Sequence, residues 1–116
     1  TEMGALNMIF GAHSDTLAER PELTSVILDI HRQASEYAMA NHEAMVEMAV
    51  MKLGQQRDAI ELSAPNVELT WYFGETELKQ SKIYAQHMVE LNQIQALPDF
   101  ETLFDTRFVE ELKQKA

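Results

Sequence analysis

Four histidines, His13, His31, His42 and His87, come first, because imidazole is both a metal ligand and a proton carrier near neutral pH. Their spacing supports neither role. A carboxylate-bridged di-metal bundle needs Glu-x-x-His pairs on two helices, and no such pair occurs. His42 stands beside Glu43 and Glu47 but at helical spacing points away from both. His87 and Glu90 are one helical turn apart, and His87 falls on an apolar face, as a core histidine would. Carboxylates spaced like Glu43 and Glu47 usually make a solvated face. No metal and no cofactor is expected.

Nucleophilic chemistry has equally little support. The chain has no cysteine, which removes thiolate catalysis, thiolate metal sites and disulfides together. No Gly-x-Ser-x-Gly elbow is present, and four isolated glycines do not build a phosphate-binding loop. The sequence therefore reads as non-enzymatic. Trp71-Tyr72-Phe73 would spread over both sides of a helix, so at least one ring must meet a second contact; a small-molecule box there is the weaker reading.

The charge balance narrows the partners. Nine Lys and Arg against 19 Asp and Glu give a formal charge of −10. Such a chain is badly suited to nucleic acid, where phosphate contacts dominate affinity, or to docking on an anionic membrane by charge. The same charge keeps proteins and particles from sticking together. No apolar run is long enough for a transmembrane segment, and no basic-start leader is visible. The expected location is cytoplasmic, although the chain begins at Thr1 and a trimmed leader is compatible with that start.

The elements that carry these residues are helices. The pattern predicts an all-α fold in one domain, 1–116, with a short helix over 1–12, a long helix over 21–62, a second over 65–96 and a third over 99–115. Met3, Leu6, Ile9 and Phe10 would share a face of the first, with Gly11 as its cap. His13-Ser14-Asp15-Thr16 offers N-cap residues for a turn through Leu17 and Ala18, and Pro21 suits the first turn of the long helix. Gly54 is that helix's weak point, as a kink, an end or a tolerated residue. Ser63-Ala64-Pro65-Asn66 is the clearest break. The residues from Val67 to Phe73 alternate as a strand would, but with no second strand to pair with they are read as helix. Asp99 caps the third helix, whose stripe is Phe100, Leu103, Phe104, Phe108 and Leu112. Lys113 and Lys115 suit its C-terminal dipole.

The two long helices have apolar residues on two sides. On the first, Leu23, Val26, Ile27, Ile30, Ala34, Tyr37, Ala38, Met45, Met48 and Leu62 make the main stripe, the one a globular helix buries. Leu28, Met39, Val46, Val50 and Leu53 form a second line roughly opposite. On the second helix the main face holds Leu69, Tyr72, Phe73, Ile83, Tyr84, His87, Leu91 and Ile94, and the reverse carries Val67, Trp71, Leu78, Ala85 and Val89. Each Leu- or Met-sized side chain is worth roughly 1.5–3 kcal/mol when buried, so leaving a second stripe in water is a substantial loss. A short break between two long helices predicts an antiparallel hairpin, coiled-coil or bundle-like in an oligomer, with the second stripes closing on another copy, a partner protein or a non-protein apolar surface. The closely spaced Met39, Met45, Met48 and Met51 suit an irregular apolar contact or a core.

From about Val46 to Leu91 the chain resembles the phasins, helical proteins that coat bacterial polyhydroxyalkanoate granules. The resemblance lies in Glu43, Glu47, Gln55 and Gln56 before the Leu62-Ser63-Ala64-Pro65-Asn66 break, then Glu68-Leu69, Phe73, Leu78, Tyr84-Ala85 and Glu90-Leu91. The chain is poorer in Ala and Gln than is usual for phasins, and the Phe-rich stretch from Phe100 to Phe108 is foreign to the pattern. The resemblance implies a granule-associated amphipathic coat, often a homo-oligomer when free, without catalytic residues. The alternative is a helical interaction or assembly module whose second stripes close a protein interface.

Overall fold

A computed structural model describes Gly4, Leu6 and residues 8–116. The described residues are helical or irregular, and none is in a strand. Seven α-helices follow in order: α1 Ser14–Glu19, α2 Pro21–Ala40, α3 His42–Leu53, α4 Arg57–Ser63, α5 Glu75–Glu90, α6 Phe100–Leu103 and α7 Arg107–Lys115, with a 3-10 turn at Ala64–Asn66 after α4. The chain divides into two compact units, residues 26–71 and residues 1–25 with 72–116. In the region of the expected first helix, residues 8–12 are not helical, and Met3 lies outside the described residues.

The helix expected over 21–62 is three helices, because two residues offer the backbone an alternative. Asn41 leaves helical geometry, at φ −128° and ψ 70°, and its side-chain amide donates to the Tyr37 carbonyl at 2.9 Å. That bond satisfies one of the carbonyls a helix end leaves open. Gly54 is a true end: it takes the left-handed conformation at φ 66°, and the Gln55 N–H reaches the Ala49 carbonyl at 3.2 Å. A Cβ at Gly54 would meet no neighbouring atom, so only the backbone conformation selects glycine there. Gly54→Ala is therefore expected to destabilise by about 1 kcal/mol, where the same change inside a helix would stabilise. Thermal unfolding followed by circular dichroism reads the sign, and a stabilised variant would refute the left-handed end.

In the unit of residues 26–71, α3 packs against α4 across Gly54, and α4 packs on the 3-10 turn. Val46 and Ala64 are its buried apolar residues. Arg57, at the start of α4, clamps this small hairpin: its guanidinium pairs with Glu47 and with Glu43 at 3.3 Å on α3, and with Glu61 at 3.3 Å one turn along α4. The Glu47 bond, first among these, raises the Arg57 pKa.

The helix expected over 65–96 is present only as α5. Pro65 sits in the 3-10 turn, and residues 67–74 are neither helix nor strand. Val67, Thr70, Trp71, Tyr72 and Phe73 are β-branched or aromatic and favour helix weakly, and Gly74 then opens α5 with its N–H donating to the Glu77 carboxylate at 2.8 Å. The far end stops at Asn92, a left-handed residue at φ 55°. There the N–H groups of Asn92 and Gln93 close on the carbonyls of Val89 and Met88, at 3.0 and 2.8 Å, a Schellman ending with Asn in place of Gly. The two uninterrupted helices that a long hairpin needs thus do not form.

In the unit of residues 1–25 and 72–116, the third helix is also divided. Asp99 caps α6 as expected, accepting from the Glu101 N–H at 3.1 Å. Asp105 then accepts from the Arg107 N–H at 3.2 Å and pairs with its guanidinium at 2.7 Å, which starts α7 afresh. The Arg107 hydrogen bonds hold the Asp105 carboxyl below the usual carboxylate range, although partial burial opposes them. Lys113 and Lys115 lie in the last turn of α7. Among the described residues, Ala85 and Val109 are this unit's buried apolar residues.

Candidate functional site

Among the described residues no group of three or more His, Asp or Glu is placed to hold a metal ion. His13 caps α1 by accepting from the Asp15 N–H at 3.2 Å. His87 is not a core histidine: its side chain is exposed on α5 and lies 3.1 Å from the Glu90 carboxylate. Glu43 and Glu47 face Arg57, so the carboxylates beside His42 serve the hairpin clamp.

Two concave regions lie in the unit that contains α5 to α7. One is an apolar cavity of about 380 Å³ between Tyr84 and Met88 of α5, Ile94, Phe100, Leu103 and Phe104. Its polar neighbour Ser81 is engaged, donating to the Glu77 carbonyl at 2.8 Å, with no base beside it. The other is an open polar hollow beside Tyr72, Glu110 and Lys113. There the Tyr72 hydroxyl donates to Glu110 at 2.6 Å, and the Lys113 ammonium sits 4.2 Å above the Tyr72 ring. Tyr72, and less strongly Glu110, raise the Lys113 pKa. A phenol, a carboxylate and an ammonium that satisfy one another anchor α7 to the start of α5; they hold no unpaired nucleophile.

What the structure does present is apolar surface. The clearest instance is α2. Val26, Ile30 and Tyr37 are 56, 60 and 56 % exposed, while Thr24 and Ser35, roughly 150° round the axis, are 8 and 5 % exposed. A helix in a finished globule does the reverse. Met48, Met51, Leu53 and Leu62 in α3 and α4 are also exposed.

The predicted second line therefore divides, and its central member is corrected. Val46 has no exposed surface and belongs to the core of its unit. Leu28 and Val50 are half-buried, and Met39 and Leu53 are exposed. Met39 is partly dressed by its own chain: the Leu69 N–H approaches its sulfur at 3.4 Å, and the Trp71 indole N–H donates to Glu36 at 3.1 Å, laying residues 67–71 along that side of α2. Val67 stays exposed and Trp71 half-buried. Leu78 and Val89 are half-buried on α5 around the buried Ala85, so that reverse face is the covered one. Val26, Ile30, Tyr37 and Met48, from the stripe expected to be core, are left bare as well.

No protein-family model matches the chain, and no curated protein or solved structure is significantly similar to it. Among the described residues, no helix is long and apolar enough to cross a membrane.

Proposed function

We propose that this chain is a non-catalytic helical assembly module that associates through the apolar surface its own fold leaves bare. The observation that carries this reading is α2, with Ser35 and Thr24 buried and Val26, Ile30 and Tyr37 exposed. Exposing these apolar side chains is unfavourable for an isolated chain and becomes favourable once the bare side is covered, whereas the buried Thr24 hydroxyl is already satisfied, donating to the Arg20 carbonyl at 3.3 Å.

A second reading, a phasin-like coat on polyhydroxyalkanoate granules, is favoured by a separate observation. Met48, Met51, Leu53 and Leu62 are exposed on α3 and α4 of a chain whose formal charge is −10. Flexible methionines adapt to an irregular apolar surface, and the charge would keep coated particles apart.

Light scattering of the free chain, repeated with polyhydroxyalkanoate particles, separates the two. The assembly module is expected to keep a fixed oligomeric mass that ignores the particles. The granule coat is expected to leave solution and adsorb. A monomer that ignores the particles would sink both.

A further inference from the structure

We propose that Val26, Ile27, Ile30, Ala34 and Tyr37 of α2 form the seam on which a second copy of this chain docks, helix against helix. This seam rests on the assembly reading and supplies its partner.

The spacing is that of a helix–helix seam. Ile27, Ile30, Ala34 and Tyr37 recur at intervals of three, four and three, the alternation that keeps one line of side chains facing a partner helix. All four lie in α2 within the unit of residues 26–71. The positions beside this line are Val26 and Gln33 on one flank and His31 and Ala38 on the other, with no Asp, Glu, Lys or Arg among them.

The charges of α2 are gathered elsewhere. The Arg32 guanidinium pairs with Asp29 at 2.9 Å and with Glu36 at 2.8 Å, and Gln33 donates to Asp29 at 2.9 Å. That distribution selects the occupant. A two-fold contact brings the same patch of both subunits together. In a chain of charge −10, most patches would then set like charges opposite each other, and the charge-free side of α2 avoids this. A strongly basic or acidic partner would find no counter-charge on it.

The exposure agrees. Val26, Ile27, Ile30 and Tyr37 are 56, 38, 60 and 56 % exposed, so a second copy would cover apolar side chains that the fold leaves bare. A second copy also needs no further gene product, and both copies cover the same defect at once.

Sedimentation equilibrium of the full chain tests the seam, with Ile30→Glu as the main variant and Leu97→Glu, exposed between α5 and α6, as the control. The expected result is a self-associating parent, a Leu97→Glu control with the same association, and an Ile30→Glu variant whose dissociation constant rises at least ~100-fold, because the seam would bury an unpaired carboxylate in each copy. Ile30 is exposed and Glu is a good helix former, so circular dichroism should report unchanged helicity. If Ile30→Glu loses helicity, Ile30→Gln decides the matter, with the same direction and a smaller effect. An oligomer unmoved by the Ile30 variants, or weakened equally by the Leu97→Glu control, overturns the seam and leaves the assembly reading standing. A monomeric parent that adsorbs to polyester particles overturns the seam in favour of the coat. A monomer that does neither overturns the seam and both readings.

Discussion

Val46→Asp is expected to abolish cooperative folding of the α3–α4 hairpin, and Val46→Ala to cost about 2 kcal/mol. Val46 is the one large apolar side chain with no exposed surface among the described residues, and only Ala64 accompanies it as a buried apolar residue in its unit. A core this small has little margin: domain stabilities are on the order of 5–15 kcal/mol, and a carboxylate at a fully buried site without a partner removes several of those. Arg57 does not rescue it, since that guanidinium is already shared by Glu43, Glu47 and Glu61. Leu53→Gln on the same helix is expected to stay within about 0.5 kcal/mol of the parent, because its side chain stands in solvent. Denaturant unfolding followed by circular dichroism measures all three. If Val46→Ala and Leu53→Gln prove equally mild, Val46 is not the keystone its burial makes it.

Those two residues also show where the sequence stops being informative. Val46, Val50 and Leu53 share a helical face, and periodicity treats them as one line. Periodicity states which residues share a side; it does not state which side is covered. Coverage depended on Gly54 ending α3, which let α4 fold back and left Leu53 at a bare terminus. The all-helical content, the start of α2 at Pro21, the Asp99 cap and the basic end of α7 were readable, because each follows from one residue type at one position. The stops at Asn41, Asn92 and Asp105 were less so. Asn and Asp are tolerated within helices, and only their hydrogen bonds to Tyr37, to the α5 carbonyls and to Arg107 reveal them as ends. The strongest unused signal lay in residues 67–74, where β-branched and aromatic residues run into Gly74. Reading that run as helix extended the second element by about ten residues that the weak propensities there do not support.

Phe104→Ala is the second large effect, at about 3 kcal/mol. Phe104 falls in the gap between α6 and α7, where the backbone is extended at φ −106° and ψ 116°. That turn aims its ring at two others: Phe73 at a centroid distance of 4.7 Å and Phe100 at 6.2 Å. Had 99–115 been one helix, Phe100 and Phe104 would have sat one turn apart on a single stripe. The break at Asp105 instead makes Phe104 the ring shared by the segment before α5 and by α6, and the same ring walls the 380 Å³ cavity. Truncation therefore removes both ring contacts and enlarges the cavity into space that the short α6 cannot fill by collapsing. Leu103→Ala, one residue away but exposed, is expected to change stability by no more than about 0.5 kcal/mol. Phe104→Leu, which keeps most of the volume but not the ring geometry, should fall between them. Near-ultraviolet circular dichroism should lose aromatic signal in Phe104→Ala and keep it in Leu103→Ala. If both alanine variants unfold at the same denaturant concentration as the parent, the three rings are surface neighbours, and α7 is held by other contacts, such as Tyr72 with Glu110 and Lys113, and Val109.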